Sequence, residues 1–551
     1  MTQNRHTPRS AVVRASLYFL KPRRLKYTGM KMLTMAFFAA AALLVFLAAG
    51  KGWAFHEGGV GACEGCHTMH NSITYSTSPG FKPNQYSPDG GVQGWTGIGS
   101  GAMAVVNPKG SVGSTPDPNL LRGTDGSSTC LNCHEGVGLT QPDGFYISTP
   151  LSQLNIAGAY PKQLTPGGDF GWLNKTYTWN TGTIYTDPGY MHGHYITAED
   201  FDYTYENSGD TWTTAPGGGQ YPYPASDLSC ISCHDPHGTY RRTSSGAITN
   251  SPVAPIIGSG SYETSPTPLA GQAVGAYRLL GGVNYVPPGG INYQFHYAPP
   301  AAIAPTVYNR SETKTSQTVV AYGNGTSAWC RNCHPDMHTG AGTDPFADID
   351  NVMGVAENFP QYANPYNEQI NSQKVTYHPY NELGSVIASN YVSYIETGNY
   401  GGTSNAYWSL APFEINTTSY SNLQLVVKNS ESGLYPSPAS TDKVSCLTCH
   451  RAHASGWDYI MRFKYNGNGK NGINDGNYGF SETMTDSSGG VSVYPDISTD
   501  ISNSMGRTWE ETQQAYYGWP ASDFAPNETV ICNKCHIGQA EPTGPPTNNN
   551  Y

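Results

Sequence analysis

All twelve cysteines of this 551-residue chain fall in six copies of one pentapeptide, Cys-x-x-Cys-His. The copies are Cys63–Cys66–His67, Cys130–Cys133–His134, Cys230–Cys233–His234, Cys330–Cys333–His334, Cys446–Cys449–His450 and Cys532–Cys535–His536. This spacing is the attachment signal for c-type haem. Two thiols bond to the porphyrin edge, and the adjacent His reaches the iron from one face. With His at about 3% of the chain, its chance occurrence after all six pairs has odds on the order of 10⁻⁹. Zinc would combine Cys-x-x-Cys pairs into four-ligand sites and would not require a His after every pair. Disulfides would not repeat one tight spacing six times. The reading is six covalent haems, with His67, His134, His234, His334, His450 and His536 as proximal iron ligands.

Each haem iron has a second face. Sixteen histidines are present. Beyond the six proximal ones and His6 near the N-terminus, nine remain: His56, His70, His192, His194, His237, His296, His338, His378 and His453. Six distal ligands can be drawn from them, so no haem is forced to be open or Met-ligated. Met69, Met191 and Met337 therefore read as packing residues. His70, His237, His338 and His453 sit three or four residues behind a proximal His. The proximal His occupies one face of its own porphyrin, and a side chain so close behind it cannot reach the other face. Such a His must ligate a neighbouring haem and tie the two together. His56 and His378 are further distal candidates. His192 and His194 share Met-His-Gly-His, and one of the two is expected to bind iron. His296 reads as a surface residue.

The elements that hold these residues are expected to be short. The intervals between successive motifs are rich in Gly, Pro, Asn, Ser, Thr and Tyr, and they are not self-similar, which argues against a solenoid. Ser385 to Glu396 and Thr508 to Tyr517 look helical, and Lys175 to Trp179 alternates like a strand. Such a composition ordinarily signals disorder. Six large apolar porphyrins supply the missing core, and 12% of residues are aromatic and suited to packing on them. The expected fold is a mostly irregular, loop-rich multihaem cytochrome c with few short helices and strands, one elongated domain organised by its haems.

Residues 1–31 carry eight Lys or Arg and no acid, and Met32 to Ala49 is almost wholly apolar. With Gly52-Trp53-Ala54 this reads as a secretory signal over 1–54, cleaved after Ala54, the true start possible at Met30. The cytochrome domain spans 55–540, and 541–551 is a polar tail expected to be disordered. Cleavage leaves 20 basic against 40 acidic residues, which argues against nucleic acid as a partner.

Several runs resemble the extracellular hexahaem c-type cytochromes of metal-reducing bacteria that polymerise into conductive filaments. They are Phe55-His56-Glu-Gly-Gly-Val with Cys63-Glu-Gly-Cys-His-Thr-Met-His70-Asn-Ser; Thr165-Pro-Gly-Gly-Asp-Phe-Gly-Trp172; Cys230-Ile-Ser-Cys-His-Asp-Pro-His-Gly-Thr-Tyr-Arg-Arg242; Val274-Gly-Ala-Tyr-Arg-Leu-Leu-Gly-Gly282; Ser409-Leu-Ala-Pro-Phe-Glu414; Cys446-Leu-Thr-Cys-His-Arg-Ala-His-Ala-Ser-Gly456; and Ala515-Tyr-Tyr-Gly518 followed by Cys532-Asn-Lys-Cys-His536. The resemblance implies bis-His ligation at all six haems and a continuous haem chain through stacked protomers. It favours His194 over His192 and supports His56, His237, His338, His378 and His453. It also implies that His70 ligates a haem of the adjacent protomer. The intervals between His70 and Cys130, from Asp344 to Gln373 and from Asn466 to Tyr494 are longer than in that family.

The function expected is extracellular electron transfer by a secreted, self-associating protein that is not an enzyme. Its partners would be other redox proteins and extracellular acceptors: minerals, electrodes or other cells. The alternatives are a monomeric soluble electron carrier and a multihaem reductase. A reductase needs an open iron position, and the surplus of His argues against one. The Asn466 to Asn477 loop lacks cation-ligand spacing and reads as Gly-Asn turns.

Overall fold

Sixty-four glycines and 40 prolines interrupt every long stretch between motifs. Gly costs backbone entropy and Pro removes a donor, so regular elements stay short. A computed structural model describes residues 66–67, 121, 123–136, 146–205, 213–216, 218, 220–307, 310–335, 412–434, 439, 441–443, 445–463, 484–485, 491–494, 496–498, 501 and 504–520. The chain divides into Met1–Trp53 and Ala54–Tyr551, and every described residue belongs to the second unit. Ser385 to Glu396, Asn466 to Asn477 and the 541–551 tail lie outside the described residues.

The described helices are α1 (Gly126–His134), α2 (Leu151–Leu154), α3 (Cys230–Cys233), α4 (Thr326–Cys330), α5 (Tyr420–Glu431), α6 (Cys446–Cys449) and α7 (Trp509–Ala515). Four of the seven, α1, α3, α4 and α6, carry a haem motif. α7 lies where a helix is expected. Thr508 caps it by accepting from the Glu511 N–H, and Glu511 returns the bond to the Thr508 N–H at 2.8 Å. The strand expected at Lys175 begins two residues later. β1 (Tyr177–Asn180) pairs antiparallel with β2 (Ile184–Asp187), Tyr177 opposite Asp187. Two small sheets follow. In one, β3 (Arg241–Thr243) lies between β4 (Ile248–Thr249) and β5 (Ala273–Gly275); in the other, β7 (Ala321–Gly323) lies between β6 (Ala302–Ile303) and β8 (Glu414–Ile415). Among the described residues no helix is long and apolar enough to cross a membrane. The chain is thus the expected loop-rich fold with few short helices and strands.

Aromatic side chains fill the core between these pieces. The largest cluster gathers Phe170, Trp172, Tyr177, Tyr203, Trp457, Tyr494, Tyr516 and Trp519 from distant parts of the chain. Two of their polar tips are satisfied within the core: Tyr494 donates to Trp519 O at 2.7 Å and Trp519 Nε1 to Glu312 O at 2.9 Å. Buried Asp169 closes the Thr165–Trp172 segment. Its carboxylate accepts from the backbone N–H groups of Thr149, Gln163 and Gly171 and from the Thr149 hydroxyl.

Candidate haem-binding sites

Each Cys-x-x-Cys needs both thiols on one face and its His turned away to the iron. One helical turn does this, because residues three apart share a face. In α3 and α6 the turn is closed by its own hydroxyls. The Ser229 N–H donates to Ser232 Oγ at 2.9 Å, and the Ser445 N–H to Thr448 Oγ1 at 2.9 Å. His234 and His450 then leave the helix in extended conformation, at φ −104° and −111°. α1 starts on an Asp125 cap and contains Cys130, Cys133 and His134. α4 ends at Cys330, with Cys333 and His334 in the following turns.

One nitrogen of each of three proximal rings is held by a backbone carbonyl. Nδ1 of His234 donates to Arg278 O at 2.7 Å, that of His334 to Pro216 O at 2.7 Å, and that of His450 to Tyr459 O at 2.9 Å. His194 does likewise, Nδ1 to Ala452 O at 2.7 Å. This fixes the tautomer and leaves Nε2 with a lone pair, as in metal-ligating histidines generally. Burial pushes the pKa of His194, His234 and His450 down, that of His334 to about 4 and that of His453 to about 3. These rings are therefore neutral, the form that ligates a metal.

The carbonyls that hold His234 and His450 are presented by the same strained device. Arg278 and Leu279 have φ of 52° and 53°, and Tyr459 and Ile460 have 58° and 62°. Left-handed backbone costs a non-glycine residue about 1–2 kcal/mol. Bonds on either side repeat. Asp235 N–H reaches Leu279 O and Arg451 N–H reaches Ile460 O; Gly281 N–H reaches Cys233 O and Arg462 N–H reaches Cys449 O. The surroundings of motifs 3 and 5 are thus copies of one another, although the sequences between motifs are not self-similar.

Histidine rings meet in pairs. His67 faces His237 with centroids 6.4 Å apart, His234 faces His453 at 6.4 Å, and His334 faces His194 at 6.2 Å. A ring nitrogen lies about 1.1 Å from its centroid and a metal–imidazole bond is about 2.0–2.1 Å. Two imidazoles on opposite sides of one metal therefore have centroids about 6.3 Å apart. Every pair joins a proximal His of one motif to a candidate distal His from elsewhere. His237 trails motif 3 and faces motif 1; His453 trails motif 5 and faces motif 3. The thiols and paired rings fit haem.

His192 has a different setting. It is wholly buried, with Nδ1 3.1 Å from Trp172 O and Nε2 3.1 Å from Asp187 Oδ1. His296 is exposed, and its backbone N–H bonds Asn332 Oδ1. Cys63, His56, His70, His338, His378, Cys532, Cys535 and His536 lie outside the described residues.

The motif helices also interlock. The Cys230 N–H donates to Ser127 Oγ at 3.0 Å, and the Cys446 N–H to Ser327 Oγ at 3.3 Å. Each Ser stands three residues before the first Cys of the preceding motif. Motifs 2 and 3 thereby meet at Cys130 and Cys230, and motifs 4 and 5 at Cys330 and Cys446.

No protein-family profile matches the chain. It is 42% identical over 500 residues to the C-type cytochrome OmcS of Geobacter sulfurreducens, covering 90% of this chain and 97% of that one. The chain belongs to the OmcS family of c-type cytochromes. It therefore carries covalent haem. Its fold is similar to that in a cryo-EM structure of the OmcS nanowires from Geobacter sulfurreducens, with a TM-score of 0.64 and 39% identity over 88% of this chain and 99% of the other. A structure of the Outer Membrane Cytochrome S filament from the same organism gives a TM-score of 0.65 and 40% identity, with the same coverage.

The sequence reading of this OmcS relative missed the groups that steer the ligands. Ser127 and Ser327 were visible as hydroxyls three residues before a first Cys. The carbonyls of Pro216, Arg278 and Tyr459 carry no side-chain signal.

Proposed function

We propose that this protein moves electrons outside the cell along six bis-histidine c-type haems, and that its chains join end to end into a filament. The haem irons supply reversible one-electron chemistry. The observation that carries the reading is the three histidine pairs at one iron-spanning distance. In this reading His237 completes the haem of motif 1, His453 that of motif 3 and His194 that of motif 4. Carbonyl partners hold His194, His234, His334 and His450 in place, so electron gain and loss there require little rearrangement.

The pairs follow a rule. Motifs 1, 3 and 5 each read Cys-His-x-x-His, and the trailing His of motifs 3 and 5 faces the motif two places earlier. His70 trails motif 1, which has no motif two places earlier in its own chain. A second copy supplies one: counting back across a chain end from motif 1 leads to motif 5, whose His450 faces no described histidine ring. His70 of one chain is thus assigned to the motif-5 haem of the next. His56, His338 and His378 remain for motifs 2 and 6. The OmcS filament structures support such self-association.

The fully ligated irons make this an electron carrier and not a reductase. Export would follow the signal over 1–54, and the acceptors would be redox proteins, minerals, electrodes or other cells. Electron microscopy of the secreted protein tests the proposal. Filaments are expected; dispersed particles at every concentration would leave only a monomeric carrier.

A further inference from the structure

One polar cluster in the core is not used by the haem sites. Asp187 ends β2, His192 precedes the Gly193-His194 ligand segment, and Asp458 follows Trp457. One donor atom from each lies within 4.8 Å of the others. His192 Nε2 is 3.1 Å from Asp187 Oδ1 and 3.8 Å from Asp458 Oδ1. His192 and Asp187 are buried, whereas the Asp458 side chain is 37% exposed.

Two features ask for a cation here. The first is the His192 tautomer. If Nδ1–H donates to Trp172 O, the Nε2 lone pair points at two carboxylate oxygens, and nothing positive lies between the three acceptors. The second is Asp458 Oδ1, a buried atom with no hydrogen-bond partner. Arg507 does not fill the gap. Its Nη2 donates to Asp187 Oδ2, the oxygen turned away from His192, at 2.5 Å. That bond orients the Asp187 carboxylate, as a supporting shell does for a metal ligand.

We propose that Asp187, His192 and Asp458 bind one divalent first-row transition ion, with zinc the best fit. Calcium and magnesium favour all-oxygen shells, while an imidazole with two carboxylates suits zinc or its neighbours. In a tetrahedral site with bonds of about 2.0–2.1 Å, donors lie about 3.3 Å apart. The 3.1 and 3.8 Å separations need only a small adjustment to reach this. Water takes the fourth position from the exposed side of Asp458.

The location gives the ion a task. His192 is two residues before His194, and Asp458 immediately precedes Tyr459, whose carbonyl holds His450. The ion would tie together the chain segments that aim axial ligands at the haems of motifs 4 and 5. The competing account is a proton, either on His192 as imidazolium, donating to both Trp172 O and Asp187, or on Asp458, donated to the Asp187 carboxylate.

Metal analysis of the haem-loaded protein separates the two and does not depend on whether chains polymerise. Protein stripped with a chelator, reloaded with Zn2+ and dialysed should retain one zinc per six irons. Asp458→Asn, at the most exposed ligand, should bind zinc at least tenfold more weakly. Wild-type protein that retains no zinc overturns the proposal, whatever the variant does. Equal retention by wild type and Asp458→Asn places the metal elsewhere and overturns it too.

Discussion

His192 and His194 are two positions apart and have the same side chain, yet their settings differ. Gly193 separates them in extended backbone, at φ 178° and ψ −173°, and a Cβ there would lie 2.5 Å from His453 O. His192 points into the core toward Trp172 and Asp187, and His194 stands opposite His334. His194→Ala should convert one of the six haems to high spin in the ferric absorption spectrum. His192→Ala should leave all six low-spin and cost about 1–3 kcal/mol through buried groups left unpaired, measured as a lowered melting temperature. The reverse pattern would exchange their roles. The sequence could narrow the ligand to this pair but not choose from the residues alone, because the choice rests on contacts with residues up to 258 positions away, such as Ala452. Cysteines and proximal histidines were legible because haem attachment fixes their spacing within five residues. The carbonyls of Arg278 and Tyr459 were not, since neither is the glycine or asparagine that usually marks left-handed backbone.

Short elements are held in place by a few tight crossings. The segment around Ala454 meets both Gly168 and Gly193 as isolated bridges. Its neighbours include two proposed haem ligands: the His453 N–H donates to Gly167 O at 2.7 Å and the His194 N–H to His453 O at 2.9 Å. Gly168 has φ +97°, and a Cβ on it would stand 1.7 Å from Ala454 O. Gly168→Ala should therefore destabilise the fold by more than about 2 kcal/mol and displace His453, adding a high-spin signal. An unshifted melting temperature would show that the crossing is not needed. Ser127→Ala and Ser327→Ala each remove the acceptor of a partly buried N–H and should cost about 1–2 kcal/mol. Because they sit in different motif pairs, the double variant should show the sum of the two in a denaturant titration. The Thr508 cap and the alternation after Lys175 made α7 and β1 readable locally. The motif 2–3 and 4–5 interlocks were not readable, since each joins residues more than 100 positions apart.

Across the whole molecule, ligands are exchanged between motifs and not kept within them. The His trailing motif 3 faces the proximal His of motif 1, and the His trailing motif 5 faces that of motif 3. In the proposed ligation each exchange closes a loop of chain around a haem, and such closures constrain a chain poor in helices and strands. Extended over the chain end, the same exchange makes polymerisation a matter of coordination chemistry: the joint between copies is an iron–histidine bond of the kind that holds each copy together. The most direct measurement is electron microscopy of His70→Ala combined with spin quantification of its ferric haems. The account predicts separate particles with one high-spin haem per chain, the one at motif 5. Intact filaments with all six haems low-spin would contradict it.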